Sequence, residues 1–219
     1  MEWIDAEPLS ALSPSPVDRL ALTRDTGALL ARLHAAADRI AALPPCARPG
    51  WHLAGLAGPD PLWGRYWENL DATAPEAAAL LAARDRAAGW LRGWAAEARA
   101  DIGPIHADAL QENVMRARDG ALWLIDFDDC GMGYRLYDPG AALVQFWDDP
   151  LLPDLTAAMA DGYAEARGLD AGEVAALLPR FTALRALASA GWIISRAPPG
   201  DGRHRVYLDR ALRLAAAFG

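Results

Sequence analysis

The sequence predicts a mainly α-helical domain with one small β-hairpin. Three observations carry that expectation. Apolar residues recur at three- and four-residue spacing over long alanine-rich segments. Only one pair of short apolar runs, "NVMRA" and "ALWLIDF", has a hairpin turn, "RDG", between its members. No internal repeat divides the 219 residues, a length suited to a single core.

The elements follow in order. A first helix opens at Ser15 as N-cap with Pro16 at the first helical position. Its core face reads as Leu22, Thr26, Leu29, Leu30, Leu33, Ala37 and Ile40, and "PPCARPG" ends it. Residues 44 to 70 read as a Pro/Gly-rich connection holding Trp51, Trp63, Tyr66 and Trp67. A second helix begins near Pro75 and runs through Leu80, Leu81, Trp90, Leu91 and Trp94 to about Ala100. The hairpin comes next, with Gly120 free to take positive φ. Helical spacing returns over 138–148, 151–167, 170–196 and 203–218. One domain results: helices and a Trp-rich connection (15–101), a loop and hairpin (103–130), and a helical subdomain (134–219).

Composition narrows the function. A net charge of −8 argues against nucleic acid as the main partner. No apolar run approaches the roughly 20 residues of a membrane span. "MEWIDAEPLS" is not a secretion signal, and Cys46 and Cys130 form no CxxC pair, which suits a reducing cytoplasm. All 21 basic residues are arginine, so no step that needs a lysine amine can come from these residues.

The chemistry concentrates in "IHADALQENVMRARDGALWLIDFDDC", residues 105–130. His106-x-Asp108-x4-Asn113 has the spacing of a kinase catalytic loop, where the Asp accepts the proton of an attacking hydroxyl and the Asn ligates magnesium. Asp126 and Asp128 follow on the second hairpin strand. Alternation along a strand would put both carboxylates on one face. A hard divalent cation would relieve their repulsion, which is about 4 kcal/mol at 4 Å and an effective dielectric near 20. Plainer readings exist for each residue. Spacing alone would allow Asp108, Asn113 and Asp126 to be surface loop residues. His106 reads as a structural hydrogen-bonder, His34 as core or interface, and Asp128 as ligand or loop brace. Asp129 reads as solvated or substrate-specific, the Trp-rich segment as packing, and Arg203, His204 and Arg205 as a solvated helix start. Cys130 has no partner histidine nearby in sequence and is not a nucleophile.

The run "HADALQENVM…LIDFDDCGMGYRLYDPGAAL" resembles the aminoglycoside phosphotransferase/choline kinase family, whose pattern is roughly HGDxHxxN, then IDFxD, then DLA. "GALLARLHAAA" and "DPLWGRYWEN" resemble flanking segments of the same family. The resemblance implies the C-terminal lobe of the protein-kinase-like (α+β) fold. It implies Asp108 as the catalytic residue, Asn113, Asp126 and Asp128 as metal ligands, and His106 and Asp138 as structural support. It also implies ATP and Mg2+, and a small-molecule alcohol, aminoglycoside- or choline-like, as phosphate acceptor. No residue is singled out for substrate binding. Ala107 stands where the family has glycine, and Leu110 where a second histidine is common.

Family members carry an N-terminal nucleotide lobe with a phosphate-covering loop and a strand lysine. Here "MEWIDAEPL" resembles the hinge after that lobe, so residues 1–10 are expected to be hinge-like and the nucleotide lobe absent. The expectation is an incomplete ATP-dependent kinase, weak or inactive in isolation. One alternative is a catalytically inactive binding or regulatory module. A metal-dependent hydrolase is a poorer one, because the four histidines at 34, 52, 106 and 204 are scattered.

Overall fold

The computed structural model describes residues 5–39, 48, 50–97 and 100–219. Its helices are α1 (Pro16–Asp38), α2 (Leu53–Ala57), α3 (Ala74–Ala96), α4 (Tyr137–Leu143), α5 (Leu152–Arg167), α6 (Ala171–Trp192) and α7 (Arg203–Leu214). Its strands are β1 (Ala6–Pro8), β2 (Gly50–Trp51), β3 (Ile102–Ile105), β4 (Val114–Ala117), β5 (Leu122–Leu124) and β6 (Gly131–Tyr134). Local chemistry sets the helix ends. Ser15 Oγ accepts the N–H of Asp18 ahead of Pro16. Thr73 and Glu76 form a capping box on α3, Asp170 caps α6, and Gly168 ends α5 at φ 68°.

The β content exceeds the single hairpin expected. Two three-stranded sheets form, ordered β1-β4-β5 and β2-β6-β3. The hairpin is β4–β5, closed by Gly120 at φ 88°, and β1 adds to it antiparallel with Ala6 opposite Ala117. In the second sheet β6 pairs antiparallel with β3 and parallel with β2. Segments such as "AEP" and "GW" are too short to show a period of two, so tertiary pairing alone makes them strands. The short α2 also lies inside the expected connection. Ile40, Cys46 and the first four hinge-like residues lie outside the described residues.

The buried stripe of α1 is Thr23, Thr26, Gly27, Leu30, Ala31 and His34, one position off much of the predicted face. Small residues explain the difference. A Cβ on Gly27 would run into Met159 O of α5, and one on Gly162 into Arg24 O of α1, so the two backbones touch at paired glycines. Helix α6 is covered without a break from Phe181 to Gly191 and packs on α4, α5 and α7. His204, expected at a solvated helix start, is fully buried in the first turn of α7.

A four-member ion cluster ties the ends of α1 and α5 to β6. Arg135, 3% exposed, donates to Asp101 (3.1 Å), to His34 O (3.0 Å) and to Asp38. Arg167 completes the ring, at 2.6 Å from Asp38 and 2.7 Å from Asp101. Among the described residues no helix is long and apolar enough to cross a membrane.

Candidate active site

The loop from β3 to β4 is pinned from beneath by one carboxylate. Asp138, fully buried on α4, accepts the N–H of His106 at 2.8 Å and of Ala107 at 2.7 Å. His34 of α1 meets the same carboxylate through Nε2 at 3.0 Å and reaches the Tyr163 hydroxyl through Nδ1 at 2.8 Å. The Asp138 carboxylate, both ring nitrogens of His34 and the Tyr163 hydroxyl are thus all partnered, which is what makes such a network rigid. Ala107 sits at φ 68°, a left-handed conformation that glycine adopts more readily than alanine.

Both ring nitrogens of His106 are engaged within the protein. Its Nδ1 accepts the Asp108 N–H (3.2 Å), which assigns the proton to Nε2, and Nε2 bonds to Ile125 O at 2.8 Å. That bond ties the loop to the chain just before Asp126.

Asp108 is held by two side chains. Asn113 Nδ2 donates to Asp108 Oδ2 (3.0 Å) and to its backbone carbonyl (2.8 Å). Arg185, from the middle of α6, donates to Oδ1 at 2.5 Å. Arg185 is itself braced by Ser189 Oγ at 2.9 Å and lies over the Trp63 ring at 4.5 Å. Asn113 turns its nitrogen to Asp108, so its Oδ1 is the free end, with no hydrogen bond among the described residues. The Trp-rich segment packs as predicted: Trp51 stacks on Tyr137 (5.3 Å) and meets Trp63 edge-on (4.9 Å).

The second half of the motif differs from the strand reading. β5 stops at Leu124, and Asp126 adopts φ 63°, outside any strand. A turn from Phe127 to Cys130 follows. Strand alternation therefore does not place Asp126 and Asp128 on one face. Aspartate tolerates the left-handed region better than most residues, which is why the chain can turn there. Both are exposed, and neither carboxylate has a partner among the described residues. Asp129, by contrast, is half-buried. Burial, and then the charge of Asp108, push its carboxyl above the usual range against the pull of Arg185 and Arg196.

Among the described residues no three His, Cys, Asp or Glu side chains gather into a ready-made metal cage. Magnesium does not require one, since it is commonly held by one or two carboxylates, with phosphate oxygens and water completing the shell. The free Oδ1 of Asn113 and the unpartnered Asp126 carboxylate are hard oxygen donors of that kind. Spacing missed Arg185 and His34, whose partners are distant in sequence. One signal for Arg185 was available: it is the lone charge in "FTALRALASAGWII".

A family model described as the phosphotransferase enzyme family matches residues 1–178. The chain belongs to that family. The matched span takes in Asp108, Asn113, Asp126, Asp128 and Asp138, and Arg185 lies beyond it. Among solved structures, this phosphotransferase-family chain is similar to a microcompartment-associated aminopropanol kinase. Identity there is 30% with a TM-score of 0.74, covering 91% of this chain. It also resembles an amicoumacin kinase solved with AMP-PNP and Ca2+, at 18% identity and a TM-score of 0.63 over 96% of this chain and 69% of that one. A choline/ethanolamine kinase family protein from Mesorhizobium loti aligns at 20% identity and a TM-score of 0.63, over 97% of this chain and 66% of that one. The chain spans 60% of the length of the aminopropanol kinase. No curated protein matches it.

Proposed function

We propose that the chain is the helical C-terminal lobe of an ATP-dependent kinase for a small amino-bearing alcohol. The observation that carries this reading is Asp108: doubly held by Asn113 and Arg185, yet still open to the cleft beside unpartnered oxygen donors. Phosphoryl transfer asks for such positioning and charge neutralisation rather than covalent help. The acceptor oxygen bonds to the γ-phosphorus as the β–γ bridge breaks. Its proton passes to Asp108, and ADP leaves. Asn113 and Asp126, with Asp128 beside them, would hold the magnesium that neutralises the phosphates. His106 and Asp138 keep the loop in shape.

The nucleotide's second wall would come from a lobe outside these 219 residues. Transfer by the isolated chain is therefore expected well below the usual kinase turnover of about 1–100 per second. One observation favours a second reading, an inactive binding module: there is no lysine to clamp the phosphates. Nucleotide titration separates the two, since a module that lost the nucleotide site leaves ATP unbound even with magnesium.

Metal binding tests the first reading. Millimolar Mg2+ or Mn2+ should raise the melting temperature of the wild type by mass action. Asp126→Asn should lose most of that increment. Asparagine also accepts the left-handed backbone at 126, so the loss would report ligation and not misfolding. An equal increment in both proteins would defeat the assignment.

A further inference from the structure

Arg185 is a buried charge with a single ionic partner among the described residues. Its guanidinium, 5% exposed, donates through Nη2 to Asp108 Oδ1 at 2.5 Å, while the Asp108 side chain keeps 22% exposure. The arginine end of the pair is fixed. Nη1 donates to Ser189 Oγ at 2.9 Å, Ser189 Oγ donates in turn to Arg185 O, and the Trp63 ring lies 4.5 Å from the guanidinium. Asp108, on a loop, is the end that is held.

Stability does not call for this pair. Arg185 interrupts the apolar run of α6, where Leu184, Ala186 and Leu187 are fully buried around it. Apolar side chains of similar volume in place of a buried ion pair are often neutral or stabilising. The consequence of the pair lies in where it leaves the carboxylate. Asn113 joins the two halves of the site: its Nδ2 donates to Asp108 Oδ2 at 3.0 Å, and its Oδ1 is the donor assigned above to the cation. Asp108 therefore neighbours that place, and a loose carboxylate there is itself a hard oxygen ligand. Drawn onto the cation, it would be lost to the acceptor hydroxyl. Arg185 balances its charge and ties down one of its oxygens.

We propose that Arg185 is a positioning residue that reserves Asp108 for the acceptor by keeping its carboxylate off the divalent cation. The inference rests on the roles given above to Asp108 and Asn113. It adds to them a residue outside the span that the family model matches.

Cation binding reads this without turnover, by calorimetry and thermal shift with Mn2+ on the 219-residue chain. Arg185→Met frees the carboxylate at little loss of packing volume. It should tighten Mn2+ binding roughly three- to thirty-fold, the effect of one added charge in partly solvated surroundings. Arg185→Lys keeps the positive charge and should bind Mn2+ close to the wild type. Arg185→Met combined with Asp108→Asn removes both members of the pair and should also return to the wild-type value. Arg205→Gln removes an equal charge from α7 and should leave Mn2+ binding unchanged. A merely structural arginine predicts otherwise, with Mn2+ affinity falling alongside the melting temperature. Three results would overturn the proposal: unchanged or weaker Mn2+ binding by a folded Arg185→Met, a gain that survives Asp108→Asn, or a gain equalled by Arg205→Gln. Arg185→Gln takes the place of Arg185→Met if the latter does not fold, and failure of both to fold would make the arginine a support of the fold instead. Failure of the underlying reading looks different. The wild type then binds no Mn2+, or binds it no better than Asp126→Asn, and both fall together.

Discussion

Asp108 and Asp138 bracket the β3–β4 loop from opposite sides, one facing the cleft and the other the core. Their substitutions should separate accordingly. Asp108→Asn, in a protein carrying the nucleotide lobe, should lose turnover by about 10² to 10⁴ and keep its melting temperature. Asp138→Ala leaves two buried N–H groups and His34 without their acceptor. At about 1–3 kcal/mol for each of these three orphaned donors, it should cost roughly 3–9 kcal/mol by urea unfolding. The reverse order of stability would show the roles exchanged. Ala107 makes a finer comparison. Its left-handed backbone costs about 1–2 kcal/mol, against about 0.8 kcal/mol from burying its methyl. Ala107→Gly should thus be close to neutral. Ala87→Gly, equally buried inside α3, should lose both methyl and helix propensity, about 1.5–2 kcal/mol. Spacing singled out Asp108, Asn113, Asp126 and Asp138 as candidates because their relation is local or fixed in order. Arg185 clamps Asp108 from far along the chain, and no local pattern encodes such a partner.

Between elements, the crossing of α1 and α5 shows most clearly what patterning can and cannot tell. Helix α1 was legible to the residue at its start, where Ser15 and Pro16 leave a chemical signature. Its buried face was legible only at Thr26 and Leu30, because Thr23 and Gly27 are small or polar and do not register as apolar. Both threonine hydroxyls are satisfied internally, bonding back to the carbonyls of Arg19 and Leu22, so their burial leaves no donor unpaired. Gly27 is needed for close approach to Met159 O, not for flexibility. Gly27→Ala should therefore destabilise by about 1–3 kcal/mol, although alanine is the better helix former. A lowered urea midpoint at unchanged slope would verify this; a stabilised protein would mean the helices can move apart freely. The short strands were illegible for a related reason. Two or three residues hold no period, and "GW" becomes a strand only because β6 lies beside it.

For the molecule as a whole, arginine-bound carboxylates set the response to acid. Arg205 chiefly, with the Thr73 N–H, brings Glu76 down to about 2, and Arg203 does the same for Asp201. Arg167's hydrogen bond lowers Asp38, and the Leu151 N–H with Arg19 lowers Asp149. Carboxylates depressed in the folded state contribute stability above their unfolded pKa near 4, and that contribution disappears as pH falls toward 2. The melting temperature should thus be flat from pH 7 to about 5 and drop between about pH 4 and 2. Arg205→Gln should make that drop shallower by releasing Glu76, and an unchanged acid limb would show that this pair is not part of it. The glycine crossing also sets a schedule for synthesis. Helix α1 leaves the ribosome before α5, which begins about 110 residues later. At about 5–20 residues per second, the stripe from Thr23 to His34 waits roughly 6–20 s for the surface that covers it. During that interval it must stay unpaired without aggregating, a demand that a face of threonine, glycine and alanine meets better than the leucine-rich face its spacing suggested.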